Sequence, residues 1–227
     1  MEEFSGKIEK AREKFLGPRR IDLGNGIVFE SRLGGKSPEI VLKKGNEILL
    51  DFSTLSPPGT KLVFSENMKW RAVPGKKPEI KIGRFKDAGA ILSFLHESGH
   101  LQKPDDADIS ETARRAVIRE TKNDKENAYP WPRLKALKEE RTIFLRIERD
   151  AWAHALRKAR ELEGEYGIDI FGRLPGNKGN LENAKDFINK CLDTYEQVYL
   201  DELRDIDIFS KEEMEKLFEE IDGRMAK

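Results

Sequence analysis

The stretch that decides the fold is ILSFLHESGHLQK, residues 91–103, which carries the pattern H-E-x-x-H inside an apolar helical repeat. The chain has three histidines, and two of them, His96 and His100, lie in this stretch. Residues four apart share one face of a helix, so the two imidazoles are predicted to point the same way. That spacing allows them to chelate one metal ion, and Glu97 can then reach a water molecule bound to it.

The surroundings of this pattern favour a metal site over a chance match on a charged helix. His96 and His100 continue a line of small and apolar residues that includes Gly89 and Leu92. Imidazoles buried along such a line need polar partners. Gly99 inside a helix costs roughly 1 kcal/mol relative to alanine, which indicates close packing of another backbone at that point.

A third ligand is expected elsewhere, because a catalytic zinc ion takes three protein ligands and keeps one open position. Glu148 lies in the middle of an apolar stripe that runs from Leu134 to Leu162 on a long predicted helix. A carboxylate on a buried face is costly unless it is paired or bound to a metal. Glu148 is therefore the candidate ligand, and a buried ion pair with Arg114 or Arg146 is the alternative.

The rest of the chain divides into a β-rich part and a helical part. Short β-type runs between about residues 26 and 83, separated by glycine- and proline-containing turns, predict a small, mostly antiparallel sheet of four to six strands. Helices are predicted over residues 4–16, 86–102, 108–122 with Ser110 as N-cap, 132–163, 181–203 and from Ser210 onward. We therefore expect a β-rich half (1–85), a helical half with the metal site (86–164) and a helical C-terminal extension (165–227) that caps the site or keeps it latent.

Composition argues against several classes of protein. The 42 basic and 42 acidic residues give a net charge of zero, which does not favour nucleic-acid binding. No run of 18 apolar residues predicts a membrane span, and the N-terminus lacks the apolar region of a signal peptide. Cys191 is the only cysteine, which excludes an internal disulfide and fits a reducing compartment. We expect a cytoplasmic protein in which Cys191 is a core residue rather than a zinc ligand.

Two segments resemble the gluzincin metallopeptidases, in particular the ImmA/IrrE-like proteins and the minigluzincins. They are FLHESGH (94–100) and ERDAWAHAL (148–156). In those families an H-E-x-G-H helix is followed by a helix with an E-R-E-A-N-x-F-A-like motif, whose first glutamate is the third zinc ligand. That glutamate corresponds to Glu148 here, and Ala151 and Ala155 match the small positions. The similarity covers about residues 78–160.

The resemblance implies an α+β, zincin-like fold with one zinc ion on His96, His100 and Glu148. It also implies hydrolysis of a peptide or protein substrate by a zinc-activated water, with Glu97 as general base. Tyr129 and His154 are candidate donors to the oxyanion, although a structural role is the commoner explanation for either. The strand at 78–84 is expected to form a sheet edge that pairs with extended substrate.

Two positions depart from the family pattern. Ser98 replaces a bulky residue, and Trp152 stands where related enzymes often have Asn or Asp to orient a ligating histidine. An indole N–H can only donate, so another residue must fill that role or it is absent. A non-catalytic zinc-binding regulatory or interaction protein of the same fold is the first alternative, and a helical interaction module with a coincidental H-E-x-x-H is the second. The sequence does not predict the oligomeric state.

Overall fold

The structure is a computed structural model that describes residues 19–32, 38–65, 69–71, 77–83, 85–103, 105–124, 131–176 and 182–192. Four predicted features lie outside these residues: the helix at 4–16, residues 193–203 of the helix predicted over 181–203, the helix starting at Ser210, and Tyr129. None of the described helices is long and apolar enough to cross a lipid bilayer.

The first sheet is an antiparallel meander of four strands in sequential order. Its strands are β1 (Arg19–Asp22), β2 (Ile27–Arg32), β3 (Glu39–Lys44) and β4 (Glu47–Asp51). The turn between β1 and β2 uses three successive residues with positive φ, Gly24, Asn25 and Gly26. Glycine and asparagine are the residues that adopt this backbone conformation at least cost, so the turn follows directly from the sequence GNG.

A second, three-stranded sheet has the order β5-β7-β6. Its strands are β5 (Lys61–Phe64), β6 (Lys69–Arg71) and β7 (Glu79–Ile82), with β5 parallel and β6 antiparallel to β7. The α+β class and the small antiparallel sheet are confirmed. The expectation of one sheet is wrong, because the strands in the described part of the chain divide between two. The predicted edge role of residues 78–84 is also wrong, since β7 has a partner on each side.

Four helices follow the sheets in the described part of the chain. They are α1 (Ala88–Leu101), α2 (Asp105–Asp124), α3 (Trp131–Tyr166) and α4, residues 182–192. The Asp87 side chain caps α1 by accepting a hydrogen bond of 2.9 Å from the Gly89 N–H. The predicted N-cap at Ser110 is wrong. Helix α2 begins at Asp105, and the acidic residues in its first turn suit the positive end of the helix dipole.

One hydrophobic core joins the first sheet, β5, β7, α1, α3 and α4. Phe29 of β2 is fully buried in this core, with its ring centroid 4.9 Å from that of Phe52 and 4.8 Å from that of Phe85. Helix α4 contributes Ala184 and Ile188 to the same core. Nearly every residue of α1 is buried, so the histidines of this helix are surrounded by protein.

Helices α1 and α3 approach each other closely at Gly99. A Cβ atom at this position would lie 2.8 Å from the carbonyl oxygen of Ala151 and 3.0 Å from its Cα. These are backbone atoms that no side-chain rotation can move, so only glycine allows this helix separation. The prediction that Gly99 makes room for a neighbouring backbone is confirmed.

We expect Gly99→Ala to destabilise the protein by about 1–3 kcal/mol, the usual cost of overpacking. The matched control is Gly164→Ala on α3, where an added Cβ meets no atom within 4 Å. That change is expected to be neutral or stabilising by up to about 1 kcal/mol, because alanine favours the helix. Urea unfolding of both variants measures the difference. Equal stabilities would contradict the close approach of α1 and α3.

Candidate metal centre

Helices α1 and α3 bring His96, His100 and Glu148 together. The Nε2 atom of His96 lies 3.0 Å from Oε2 of Glu148, and Nε2 of His100 lies 3.3 Å from Oε1. One donor atom from each of the three residues lies within 4.8 Å of the other two. The partners of the Glu148 carboxylate are therefore the two histidines of the H-E-x-x-H pattern. The alternative, an ion pair of Glu148 with Arg114 or Arg146, is not what the structure shows.

The spacing of these donor atoms fits a small divalent cation. Zinc binds nitrogen and oxygen ligands at about 2.0–2.1 Å in a tetrahedron, which places neighbouring ligand atoms roughly 3.3 Å apart. The two nitrogen–oxygen separations here are close to that value, at 3.0 Å to Oε2 and 3.3 Å to Oε1 of the Glu148 carboxylate. The donor set of two imidazoles and one carboxylate also suits zinc. One metal ion can therefore be held by these three residues.

Burial makes the charges at this site interdependent. His96, His100 and Glu148 are 2%, 3% and 3% exposed. Burial alone lowers the pKa of His96, but its contacts with the carboxylates of Glu148 and Glu97 outweigh this and raise it. Burial alone raises the pKa of Glu148, but hydrogen bonds with His100 and His96 lower it below its ordinary value. An ionised carboxylate at this depth requires a cation, which is either a protonated imidazole or a metal.

Glu97 borders the group without joining it. Its side chain is buried, and Oε1 lies 3.6 Å from Nδ1 of His96, which is too long for a hydrogen bond. The His96 ring therefore faces Glu148 at one nitrogen and has Glu97 near the other. The structure thus places a carboxylate beside the three candidate ligands, as the H-E-x-x-H pattern predicts.

The two departures from the family pattern both have a packing role. The Ser98 hydroxyl donates a hydrogen bond of 2.7 Å to the carbonyl of Leu55. This bond ties α1 to the short 3₁₀ turn Phe52–Leu55, and Ser98 is fully buried. Trp152 stacks on His96, with ring centroids 4.0 Å apart and planes 20° from parallel. Neither contact is predictable from the sequence, because each one joins parts of the chain that lie far apart in sequence or on different elements.

His154 is not part of the group of three. It lies on α3 near Gly99, half-buried, and burial lowers its pKa. Its Nε2 has no hydrogen-bond partner among the described residues. The other oxyanion candidate, Tyr129, lies outside those residues. Neither candidate therefore gains support as an oxyanion donor.

Cys191 is half-buried against the core and does not join the three candidate ligands. Burial, together with the carboxylates of Glu148 and Glu97, raises the pKa of its thiol to about 11. The placement agrees with the expected core role.

No family model, no curated protein and no solved structure matches this chain. The resemblance to gluzincins therefore depends on the two motifs alone. The structure itself shows that His96, His100 and Glu148 meet in one buried group that could hold a metal ion.

We expect Glu148→Gln to abolish most zinc binding, because it removes the only carboxylate of the group. The matched control is Glu140→Gln, the same change about two turns earlier on α3. Glu140 is also partly buried, which raises the pKa of its carboxyl, but it does not belong to the group of three. Zinc content after purification without a histidine tag, measured by elemental analysis, is expected to be about one per chain in wild type and in Glu140→Gln. Full zinc content in Glu148→Gln would show that another residue is the third ligand.

Proposed function

We propose that this protein is a zinc-dependent metallopeptidase of the gluzincin type. The observation that carries the proposal is the meeting of His96, His100 and Glu148 in one buried group with the carboxylate of Glu97 at its border. This is the set of residues that metal-assisted hydrolysis needs, namely three ligands and one base. The proposed substrate is a peptide or protein.

The reaction assigns separate tasks to the residues of the chain. His96, His100 and Glu148 would hold the zinc ion, which would supply a Lewis acid for the carbonyl and for the attacking water. Glu97 accepts one proton from the attacking water as the new carbon–oxygen bond forms. It then gives that proton to the leaving amine as the carbon–nitrogen bond breaks, so the carboxylate is regenerated.

The two edges of the second sheet offer a place for extended substrate in this proposal. In the described part of the chain, β5 and β6 each have one strand partner, and β6 also contacts α1. An extended peptide can add to an exposed edge through backbone hydrogen bonds. In this proposal the strand that pairs with extended substrate is therefore β6 rather than residues 78–84. Strand β6 lies beside α1, the helix that carries His96 and His100.

A non-catalytic zinc-binding protein is the second candidate function. The favouring observation is burial, because His96, Glu97, His100 and Glu148 are all at most 7% exposed. A structural zinc site is closed and needs no general base. A substitution of Glu97 therefore distinguishes the catalytic function, which needs this base, from the non-catalytic one, which does not.

We expect Glu97→Gln to retain zinc and to lose about 10²–10⁴-fold in peptidase activity, the usual contribution of a general base. The matched control is Glu139→Gln, an exposed carboxylate on α3, which should retain activity. The assay is mass spectrometry of a zinc-loaded enzyme with a mixed peptide library. Cleavage that survives in Glu97→Gln would remove this residue from the mechanism. A zinc-loaded wild type that cleaves nothing would favour the non-catalytic function.

A further inference from the structure

The indole of Trp152 covers one face of the His96 imidazole. The ring centroids are 4.0 Å apart and the planes differ by 20°, so the rings are stacked. Trp152 is 2% exposed, which leaves it little freedom to move away. Rotation of the His96 imidazole about its Cβ–Cγ bond would tilt the ring out of this stack. The stack therefore restricts the ring plane of a candidate metal ligand.

Trp152 is held in place from its other side by α4. The ring of Phe187 meets it edge-on, with centroids 6.1 Å apart and planes at 85°. Phe187 in turn fits against the start of α1 at Gly89, where a Cβ atom would lie 2.5 Å from a Phe187 ring carbon. A continuous line of contacts thus runs from Gly89 through Phe187 and Trp152 to His96.

Metal-ligating histidines are commonly oriented by a hydrogen bond from the ring nitrogen that does not bind the metal. Nδ1 of His96 has Glu97 at 3.6 Å, beyond hydrogen-bond distance. The indole Nε1 of Trp152 is buried and has no hydrogen-bond partner in the described part of the chain. Nε2 of His96 meets Glu148 at 3.0 Å, and the contact that restricts the ring plane in addition is therefore the aromatic stack rather than a hydrogen bond to the indole.

We infer that Trp152 is the positioning residue for the metal ligand His96, with Phe187 of α4 holding the indole against the imidazole. This inference rests on the metal site of the proposed function, but not on peptide hydrolysis. Through Phe187, the helix at 182–192 becomes part of the support of the metal site. A change in the packing of α4 should therefore alter metal affinity without touching a ligand.

The first test compares two substitutions at position 152. Trp152→Leu removes the aromatic face, whereas Trp152→Phe keeps one. We expect zinc affinity, measured by competition with a chelator, to fall roughly 10–100-fold in Trp152→Leu, as for other outer partners of zinc histidines. Trp152→Phe should recover most of that loss. Unchanged affinity in Trp152→Leu, or an equal loss in both variants, would overturn the inference.

A second variant keeps the test decisive if Trp152→Leu fails to fold. Phe187→Leu leaves Trp152 and every ligand in place, and we expect it to weaken zinc binding in the same direction by a smaller factor. Wild-type affinity in a folded Phe187→Leu protein would overturn the support role of α4. Circular dichroism of the metal-free proteins shows whether each variant is folded.

A third measurement examines the stack in the metal-free protein. The ring protons of His96 lie under the indole, so their NMR signals should be shifted upfield and should move back in Trp152→Leu. His154 provides the internal reference, since it is not in ring contact with Trp152 in the described structure. An unshifted His96 signal in wild type would overturn the inference.

The inference, the metal site and the proposed reaction fail in different ways. Absence of zinc binding in wild type would overturn the inference together with the metal site, whereas absence of peptidase activity with zinc bound would overturn only the proposed reaction.

Discussion

A carboxylate buried between two imidazoles sets the main constraint on this fold. Glu148 is 3% exposed and contacts both His96 and His100 across the interface between α3 and α1. A single charge at that depth would be strongly destabilising, so the two helices must meet in the register that gives the carboxylate its partners. Gly99 permits this register, because its missing side chain lets the Ala151 backbone come close to α1.

The local parts of this arrangement were predictable from the sequence. Helix α1 and the shared face of His96 and His100 follow from the spacing H-E-x-x-H, since residues four apart share a helix face. Glu148 could be selected because it interrupts an apolar stripe. The sequence also indicated the close helix approach through Gly99. Each of these predictions used the periodicity of one helix or the helix propensity of one residue, and no contact between distant segments.

The parts that could not be predicted depend on contacts between distant segments. The strands divide into two sheets, and in the second one β5 pairs with β7 in parallel. Alternation of apolar residues specifies neither feature. The contact of Ser98 with Leu55 and the stack of Trp152 on His96 each join separate elements. Phe187 reaches Trp152 only because α4 packs on the core beside α1 and α3.

X-ray absorption spectroscopy of the zinc-loaded wild-type protein tests the central claim most directly, because it reports the atoms bound to the metal. Coordination by His96, His100 and Glu148 predicts only nitrogen and oxygen neighbours at about 2.0–2.1 Å, with the outer-shell scattering of two imidazoles. A sulfur neighbour at about 2.3 Å would place the Cys191 thiolate on the metal and contradict the site described above. Scattering from fewer than two imidazoles would contradict it as well.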